Sequence, residues 1–306
     1  MNVAVLGPGG VGGLVAGALA RAGTPVVLVA RESTAEAISE RGLRLSSVLL
    51  GDFTAHPRAV ARLEESVDVL IVATKAAGLR DALERVDGTP PLVLPLLNGL
   101  DHIAVLRERF GEGAVVAGTI RVEADRPEPG VVVHTSRFLL VEMASRHPAA
   151  GEPMRRLAST LTDAGIPARV GDSEPQVMWS KLVRLNALAC TTSAYDRLLG
   201  EIRSTPELRA DLVGAIEEGC AVAQAEGACI PSSDPLVPAR VLGELTAAHA
   251  TLGSSMQRDI AAGRPPELDA IPGSVLRAAA RHGIECPTIE RLVETIRARV
   301  ERRPAR

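Results

Sequence analysis

The residues with the clearest chemical use stand at the start of the chain. Met1-Asn2-Val3-Ala4-Val5-Leu6 reads as a buried strand, and Gly7-Pro8-Gly9-Gly10-Val11-Gly12-Gly13 follows before an apolar helix that runs to Ala22. This is G-x-G-x-x-G directly after a strand and opening a helix, the context a dinucleotide-binding turn needs. Gly7 permits the tight turn, Gly9 lets the backbone approach a pyrophosphate, and Gly12 lets the helix pack close on the strand. The helix start, at Gly10, Val11 and Gly12, offers N–H groups and a positive dipole end to the phosphates. Arg31 closes the second strand, where a site for NAD carries Asp or Glu to bond the ribose 2′-hydroxyl. A guanidinium there fits a 2′-phosphate by paired, charge-assisted hydrogen bonds, so the expected cofactor is NADP(H). Glu32 beside it, turned inward, would reverse that preference.

Four further polar positions interrupt apolar surroundings. Lys75, in Thr74-Lys75-Ala76, follows an apolar strand and faces either the ligand crevice or solvent. Asn98-Gly99 follows the apolar run 92–97 and is either a plain turn or an amide turned toward a ligand. Lys181 sits in Val177-Met178-Trp179-Ser180-Lys181-Leu182-Val183. A lysine among such neighbours either snorkels to water or, partly buried in a crevice, serves as a proton donor. Asn186 is a second polar residue in that run. Ser254-Ser255-Met256, followed by Gly263-Arg264-Pro265-Pro266-Glu267-Leu268-Asp269, breaks a helical stretch and, taken alone, is a loop with some charge.

Positioning these residues requires two kinds of architecture. The first half alternates strands (near 3–6, 26–29, 69–73, 92–95 and 115–117) with helices (near 11–22, 34–41, 77–85 and 101–110), the pattern of a doubly wound parallel sheet. Short segments at 120–124, 131–134 and 138–141, with the turn Pro127-Glu128-Pro129-Gly130, predict an antiparallel extension at the sheet edge. A helix near 154–164 and a last strand near 167–170 complete this part. Beyond Gly171-Asp172 the pattern is wholly helical. Ser204-Thr205-Pro206-Glu207 reads as a capping box with proline in the first turn, opening a helix that Gly227 ends. Further helices fit 238–251, 273–282 and 288–300. The expected organisation is α/β: a Rossmann-type NADP-binding domain over 1–172 and an all-helical substrate and catalytic domain over 173–306. Ligands are expected in the crevice at the carboxyl ends of the strands.

Composition narrows the classes. The 306 residues are 46% apolar but only 2% aromatic, and the net charge is −3. So few aromatics argue against a nucleic-acid stacking surface. The basic tail with Arg302, Arg303 and Arg306 reads as a solvated helix end. Cys190, Cys220, Cys229 and Cys286 are scattered without C-x-x-C spacing, which fits reduced, buried thiols in a cytoplasmic protein and neither a metal site nor a disulfide framework. No apolar run is long enough to span a membrane, and no basic leader precedes the first strand. No nucleic-acid or membrane partner is expected.

Taken in order, these residues resemble the ketopantoate reductase (2-dehydropantoate 2-reductase) family over essentially the whole chain. The resemblance is carried by Gly7-Pro8-Gly9-Gly10-Val11-Gly12, Arg31, Thr74-Lys75, Leu97-Asn98-Gly99, Trp179-Ser180-Lys181-Leu182, Gly200-Glu201-Ile202, Ser254-Ser255-Met256-Gln257-Arg258-Asp259 and Glu267-Leu268-Asp269. It implies that Lys181 is the general acid, that Glu267 is a carboxylate positioning substrate, and that Ser255 contacts the substrate carboxylate. It also implies that Asn98 bridges cofactor and substrate and that Lys75 lies on the cofactor side. The implied partner is a small 2-keto acid, with a homodimer as the assembly left open.

Three departures stand beside the match. Leu185 occupies the place, four residues after the lysine, where many members have asparagine, and Asn186 is one place later, about 100° round a helix. Pro266-Glu267-Leu268-Asp269 replaces Thr-Glu-Ile-Asp, and Cys190-Thr191-Thr192-Ser193 replaces a stretch like Asn-Pro-Leu-Thr. Three readings stay open: a ketopantoate reductase, a reductase of another keto or imine substrate in specialised metabolism, and a non-catalytic NADP(H)-binding sensor.

Overall fold

The computed structural model describes residues 1–228 and 236–302; Cys229, Arg303 and Arg306 fall outside them. The chain forms two compact units, Met1–Leu97 with His102–Val177, and Asn98–Asp101 with Met178–Arg306.

The first unit opens with β1 (Val3–Leu6), α1 (Gly10–Arg21), β2 (Val26–Val29) and α2 (Glu32–Arg41). It continues with β3 (Leu43–Ser47), β4 (Phe53–Ala55), β5 (Arg58–Val60), β6 (Val69–Val72), α3 (Leu79–Leu83), β7 (Leu92–Pro95) and α4 (His102–Phe110). Five strands pair in parallel in the order β5-β2-β1-β6-β7. The central β1, β6 and β7 are buried along their whole lengths and read as unbroken apolar runs, as strands covered on both faces do. Chain order reverses between β1 and β6, which makes this a doubly wound sheet with its switch point at their carboxyl ends. The Ala73 N–H donates to the Leu6 carbonyl and the Gly7 N–H to that of Val29, so the turns after the strands are tied to the sheet.

The antiparallel strands are present, in two sheets of their own. They comprise β8 (Ala117–Arg121), β9 (Ala124–Glu128), β10 (Val131–His134) and β11 (Leu140–Ala144), followed by α5 (Gly151–Asp163) and β12 (Ala168–Val170). One sheet grows from the parallel edge: Val93 bonds Ala114 and Val116, after which β8 pairs antiparallel with β11, and β12 joins in parallel. The other, β4-β3-β10-β9, pairs the 43–47 segment with 131–134 in parallel. It covers the second face of α1, where glycines make room. A Cβ on Gly13 would stand 2.5 Å from Val132 Cγ2, and one on Gly17 2.5 Å from Leu45 Cδ1. A single edge extension therefore describes only one of the two additions.

A buried imidazole fixes the β3–β10 join. His134 Nδ1 lies 2.8 Å from Ser47 Oγ and Nε2 lies 3.1 Å from Ser136 Oγ. Ser136 Oγ donates its proton to the Phe138 carbonyl, so it accepts from Nε2–H. Ser47 Oγ accepts from Leu50 N–H at 2.9 Å, which leaves its own proton for Nδ1, the arrangement that suits a neutral ring. Burial lowers the His134 pKa, with hydrogen bonding at Phe138 and Ser136 opposing it.

The second unit is helical: α6 (Glu174–Tyr195), α7 (Leu199–Ser204), α8 (Pro206–Ala225), α9 (Pro238–Ala247), α10 (Ser255–Ala261), α11 (Ser274–His282) and α12 (Pro287–Glu301). The boundary between units falls inside α6, after Val177. Its core packs Trp179, Leu182 and Val183 with Leu212 and Ile216 of α8 and Ile289 and Leu292 of α12. The capping box is not made. Thr205 is the cap of α8 without a side-chain bond, and Ser204 belongs to α7, its hydroxyl donating to the Glu201 carbonyl. Proline in the first turn and Gly227 in a left-handed conformation after the last do bracket α8. Cys190, Cys220 and Cys286 are buried free thiols, and burial raises their pKa values, Cys190 to about 12. Among the described residues no helix is long and apolar enough to cross a membrane.

Candidate active site

In the second unit, three expected residues from distant stretches come together. Lys181 Nζ donates to Asn98 Oδ1 at 2.9 Å, and Asn98 Nδ2 donates to Glu267 Oε2 at 3.0 Å. All three side chains are half-buried. The amide has one sensible orientation here. Turned over, it would set its N–H groups against the ammonium and its oxygen against the carboxylate. Asn98 thus joins a cation to an anion. Bonds of this charged kind are each worth about 1.5–3 kcal/mol.

Each element has a local reason for its place. Lys181 rides on α6, whose Trp179, Leu182 and Val183 are locked in the core. Gly99 has φ +84°, which favours glycine, and a Cβ on it would lie 1.9 Å from the Ala270 carbonyl oxygen. The Asn98–Gly99 turn therefore presses directly on the turn that follows Glu267. That second turn is wide: Gly273 N–H bonds the Leu268 carbonyl, five residues back, and Ile271 bonds Glu267. Such π-type turns are uncommon and cluster at functional sites. The helix ahead of it, α10, ends before Gly263, which has φ +72°, and Pro265 and Pro266 follow outside the helix.

Ser254 and Ser255 divide their work. Ser254 is buried and caps α10, accepting from Gln257 N at 3.1 Å, and its hydroxyl meets Thr192 Oγ1 at 2.9 Å. Ser255 is the first residue of α10 and is half-buried. Asn186 is fully buried; its Oδ1 accepts from Cys190 Sγ, and its Nδ2 has no hydrogen-bond partner. It lies five residues after Lys181, about 140° round the helix. Thr191 and Thr192 bond the helix's own carbonyls at 187 and 188.

In the first unit, the glycine turn sits at the switch point. Gly7 has φ +103°, and a Cβ there would stand 2.9 Å from the Ala73 carbonyl oxygen. One on Gly12 would stand 1.9 Å from the Gly7 carbonyl oxygen, so the helix approaches its own turn more closely than any side chain allows. Gly9 has nothing nearer than 4.0 Å and leaves its approach open. Gly10 has a use that sequence reasoning missed. Its bare Cα admits the Ala124 carbonyl oxygen of β9, which would lie 2.3 Å from a Cβ at that position. Val11 follows in the first turn of α1. Thr74 Oγ1, beside Gly7, is buried without a hydrogen-bond partner. Arg31 is exposed at the cap of α2, directly after β2, and Lys75 is exposed after β6. A bare-backbone cradle, an unused buried hydroxyl and two exposed cations fit a dinucleotide's phosphates.

The Ketopantoate reductase PanE/ApbA family matches residues 3–142, and its C-terminal part matches residues 175–300. A 2-dehydropantoate 2-reductase of Halobacterium salinarum is 30% identical, over 97% of this chain and 98% of its own length. The chain belongs to the ketopantoate reductase family. It is an oxidoreductase of that family, and its cofactor is a nicotinamide dinucleotide. The 2-dehydropantoate 2-reductase of Geobacter metallireducens has the same fold, with a TM-score of 0.87 at 25% identity over 98% of this chain and 100% of that one. A D-mandelate dehydrogenase, solved with NADH and anilino(oxo)acetate, shares the fold at TM-score 0.87 and 22% identity, over 98% of this chain and 99% of that one. Within α6, Leu185, which departs from the ketopantoate reductase pattern, is half-buried against the core, and Asn186 one place later turns its amide to Cys190.

Proposed function

We propose that this protein reduces a 2-keto acid to a 2-hydroxy acid with NADPH, and that the substrate is ketopantoate, giving pantoate. The observation that carries this reading is the Lys181–Asn98–Glu267 chain of hydrogen bonds. A carbonyl that receives a hydride becomes an alkoxide and needs a proton beside it. The reduced nicotinamide, when bound, supplies the hydride. Lys181 holds the proton on Nζ and delivers it to the developing alkoxide; its positive charge stabilises that oxygen before transfer. Asn98 keeps the ammonium directed, its amide bonding both charged partners. Glu267 accepts a hydrogen bond from a hydroxyl of the substrate and so orients the acyl chain. The Ser255 hydroxyl donates to the substrate carboxylate.

On the cofactor side, the turn at Gly7, Gly9, Gly10, Val11 and Gly12 holds the pyrophosphate by backbone N–H groups. Arg31 binds the 2′-phosphate, and Lys75 adds a second positive charge. The first unit is then the NADP domain and the second the substrate domain.

One observation favours a second reading. Thr191 and Thr192 are buried and bond carbonyls of α6, and Leu185 is apolar. Leu185, half-buried where many members have asparagine, would suit a 2-keto acid whose acyl group is more apolar than that of ketopantoate. Steady-state consumption of NADPH with ketopantoate and a panel of 2-keto acids, with NADH as control, separates the readings. Preference for ketopantoate and NADPH upholds the first, and preference for an apolar acyl group upholds the second. Cofactor binding without turnover of any keto acid contradicts both.

A further inference from the structure

We propose that Arg277 is a positioning residue: its guanidinium clamps Asp101 to Asp269 and thereby holds the Asn98 amide between Lys181 and Glu267. The inference rests on the functional reading above for the role of those three groups.

Asn98–Asp101 is a short segment that belongs to the second unit while the chain on either side belongs to the first. Something must fasten it. Leu100 packs on the helical core, and Gly99 lies against the Ala270 backbone, a contact without a hydrogen bond of its own. Besides the two bonds of the Asn98 amide itself, Arg277 makes a polar fastening at the far end of the segment. Nη2 donates to Asp101 Oδ2 at 2.5 Å and to the Asp269 carbonyl at 2.8 Å, while Nη1 donates to Asp269 Oδ1 at 2.8 Å. One planar fork therefore ties the segment carrying Asn98 to the turn that follows Glu267. Arg277 itself is set by α11, whose Val275, Ala278 and Ala279 are buried in the core.

The side chains of Arg277 and Asp101 are 43% and 50% exposed, and ion pairs so exposed add little to global stability. Their consequence is local. A displacement near 1 Å of a positioning group can cost as much as ~10²-fold in rate. A network of three flexible surface bonds should account for a smaller part, about tenfold.

The test is a double-mutant cycle joining Arg277→Ala with Asn98→Ala, with Arg277→Lys as the conservative variant. Arg277→Ala should lower kcat about tenfold while leaving NADPH affinity and the melting midpoint in place. Arg277→Lys should recover most of kcat, since an ammonium still reaches the two aspartates. In the Asn98→Ala background the same Arg277→Ala change should cost less than about twofold, because the group it positions is gone. Equal factors in both backgrounds would overturn the proposal. Hydrogen exchange of the peptide containing 98–101 gives a readout independent of turnover. It should quicken in Arg277→Ala and not in Arg277→Lys; unchanged exchange in Arg277→Ala also overturns the clamp. If the wild type turns over no keto acid while exchange behaves as stated, the clamp stands and the functional reading falls.

Discussion

The glycine turn of the first unit and the Lys181–Asn98–Glu267 set of the second are built on opposite principles. The turn is built by missing side chains: Gly7 and Gly12 bring backbone within 2–3 Å of where a Cβ would be, and on the proposed reading binding falls to main-chain N–H groups. It is local, contained in one β-α connection. The second set works by side chains brought from three stretches, held by a turn against a turn and a helix locked in a core. The turn fails through steric change, the set through loss of a charge or a shift of backbone. Substitutions should therefore separate cofactor binding from chemistry.

The largest effect should come from Lys181→Ala. Losing a general acid lowers turnover by about 10²–10⁴-fold, and NADPH affinity, a property of the other region, should hold; kcat alongside a fluorescence titration of NADPH reads both. Next comes Gly99→Ala. The new methyl meets the Ala270 carbonyl at a φ of +84°, so the Asn98 turn must move. kcat should fall by up to ~10²-fold, again with NADPH binding held; an unchanged kcat would mean the turn does not set the amide. Arg31→Ala should do the reverse, weakening NADPH by roughly 10-fold or more, the loss of a paired charged contact, while NADH and kcat change little. Equal weakening of the two cofactors would show that the 2′-phosphate is not bound there.

The smallest effect belongs to neither region and serves as a control. His134 is held neutral, and its pKa in the folded protein is lowered from 6.5 by burial. The unfolded chain then binds the extra proton first, so stability is full above pH 6.5 and drains as pH falls below it toward the folded value. Chemical denaturation at pH 7 and at successively lower pH should show this loss in the wild type. His134→Gln should remove that portion of the pH dependence while leaving kcat at neutral pH unchanged.

The two regions also differ in how far sequence reaches them. The turn is readable because its requirements are local. An apolar run ending at Leu6, glycines at fixed offsets and an apolar helix are all contiguous, and β1, β2 and β7 lie where the pattern predicts them, to the residue. The second set can be assembled only by resemblance, because nothing near Lys181 in sequence indicates that Asn98 and Glu267 are its neighbours. The same limit explains the misses. The double use of Gly10 depends on β9, more than a hundred residues away. The four-stranded sheet needs pairing of 43–47 with 131–134, and pairing partners are not written in either segment. Ser204-Thr205-Pro206-Glu207 has capping-box letters, yet Ser204 is already committed to α7, a helix too short for a periodic signal. Sequence alone leaves open whether Asn186 takes the place of the asparagine missing at Leu185; its position on the buried face of α6 sends it to Cys190.

The most direct test of the account follows the hydride itself. NADPH carrying deuterium at the transferring position of its nicotinamide is mixed with ketopantoate and either the wild-type protein or Lys181→Ala, and the hydroxy acid is analysed by mass spectrometry. Deuterium is expected on the carbon that bore the keto oxygen in the wild-type product, formed at a rate lower by about 10²–10⁴-fold in Lys181→Ala. NADPH oxidised without label in the hydroxy acid, or labelled product formed equally fast by Lys181→Ala, would contradict the account.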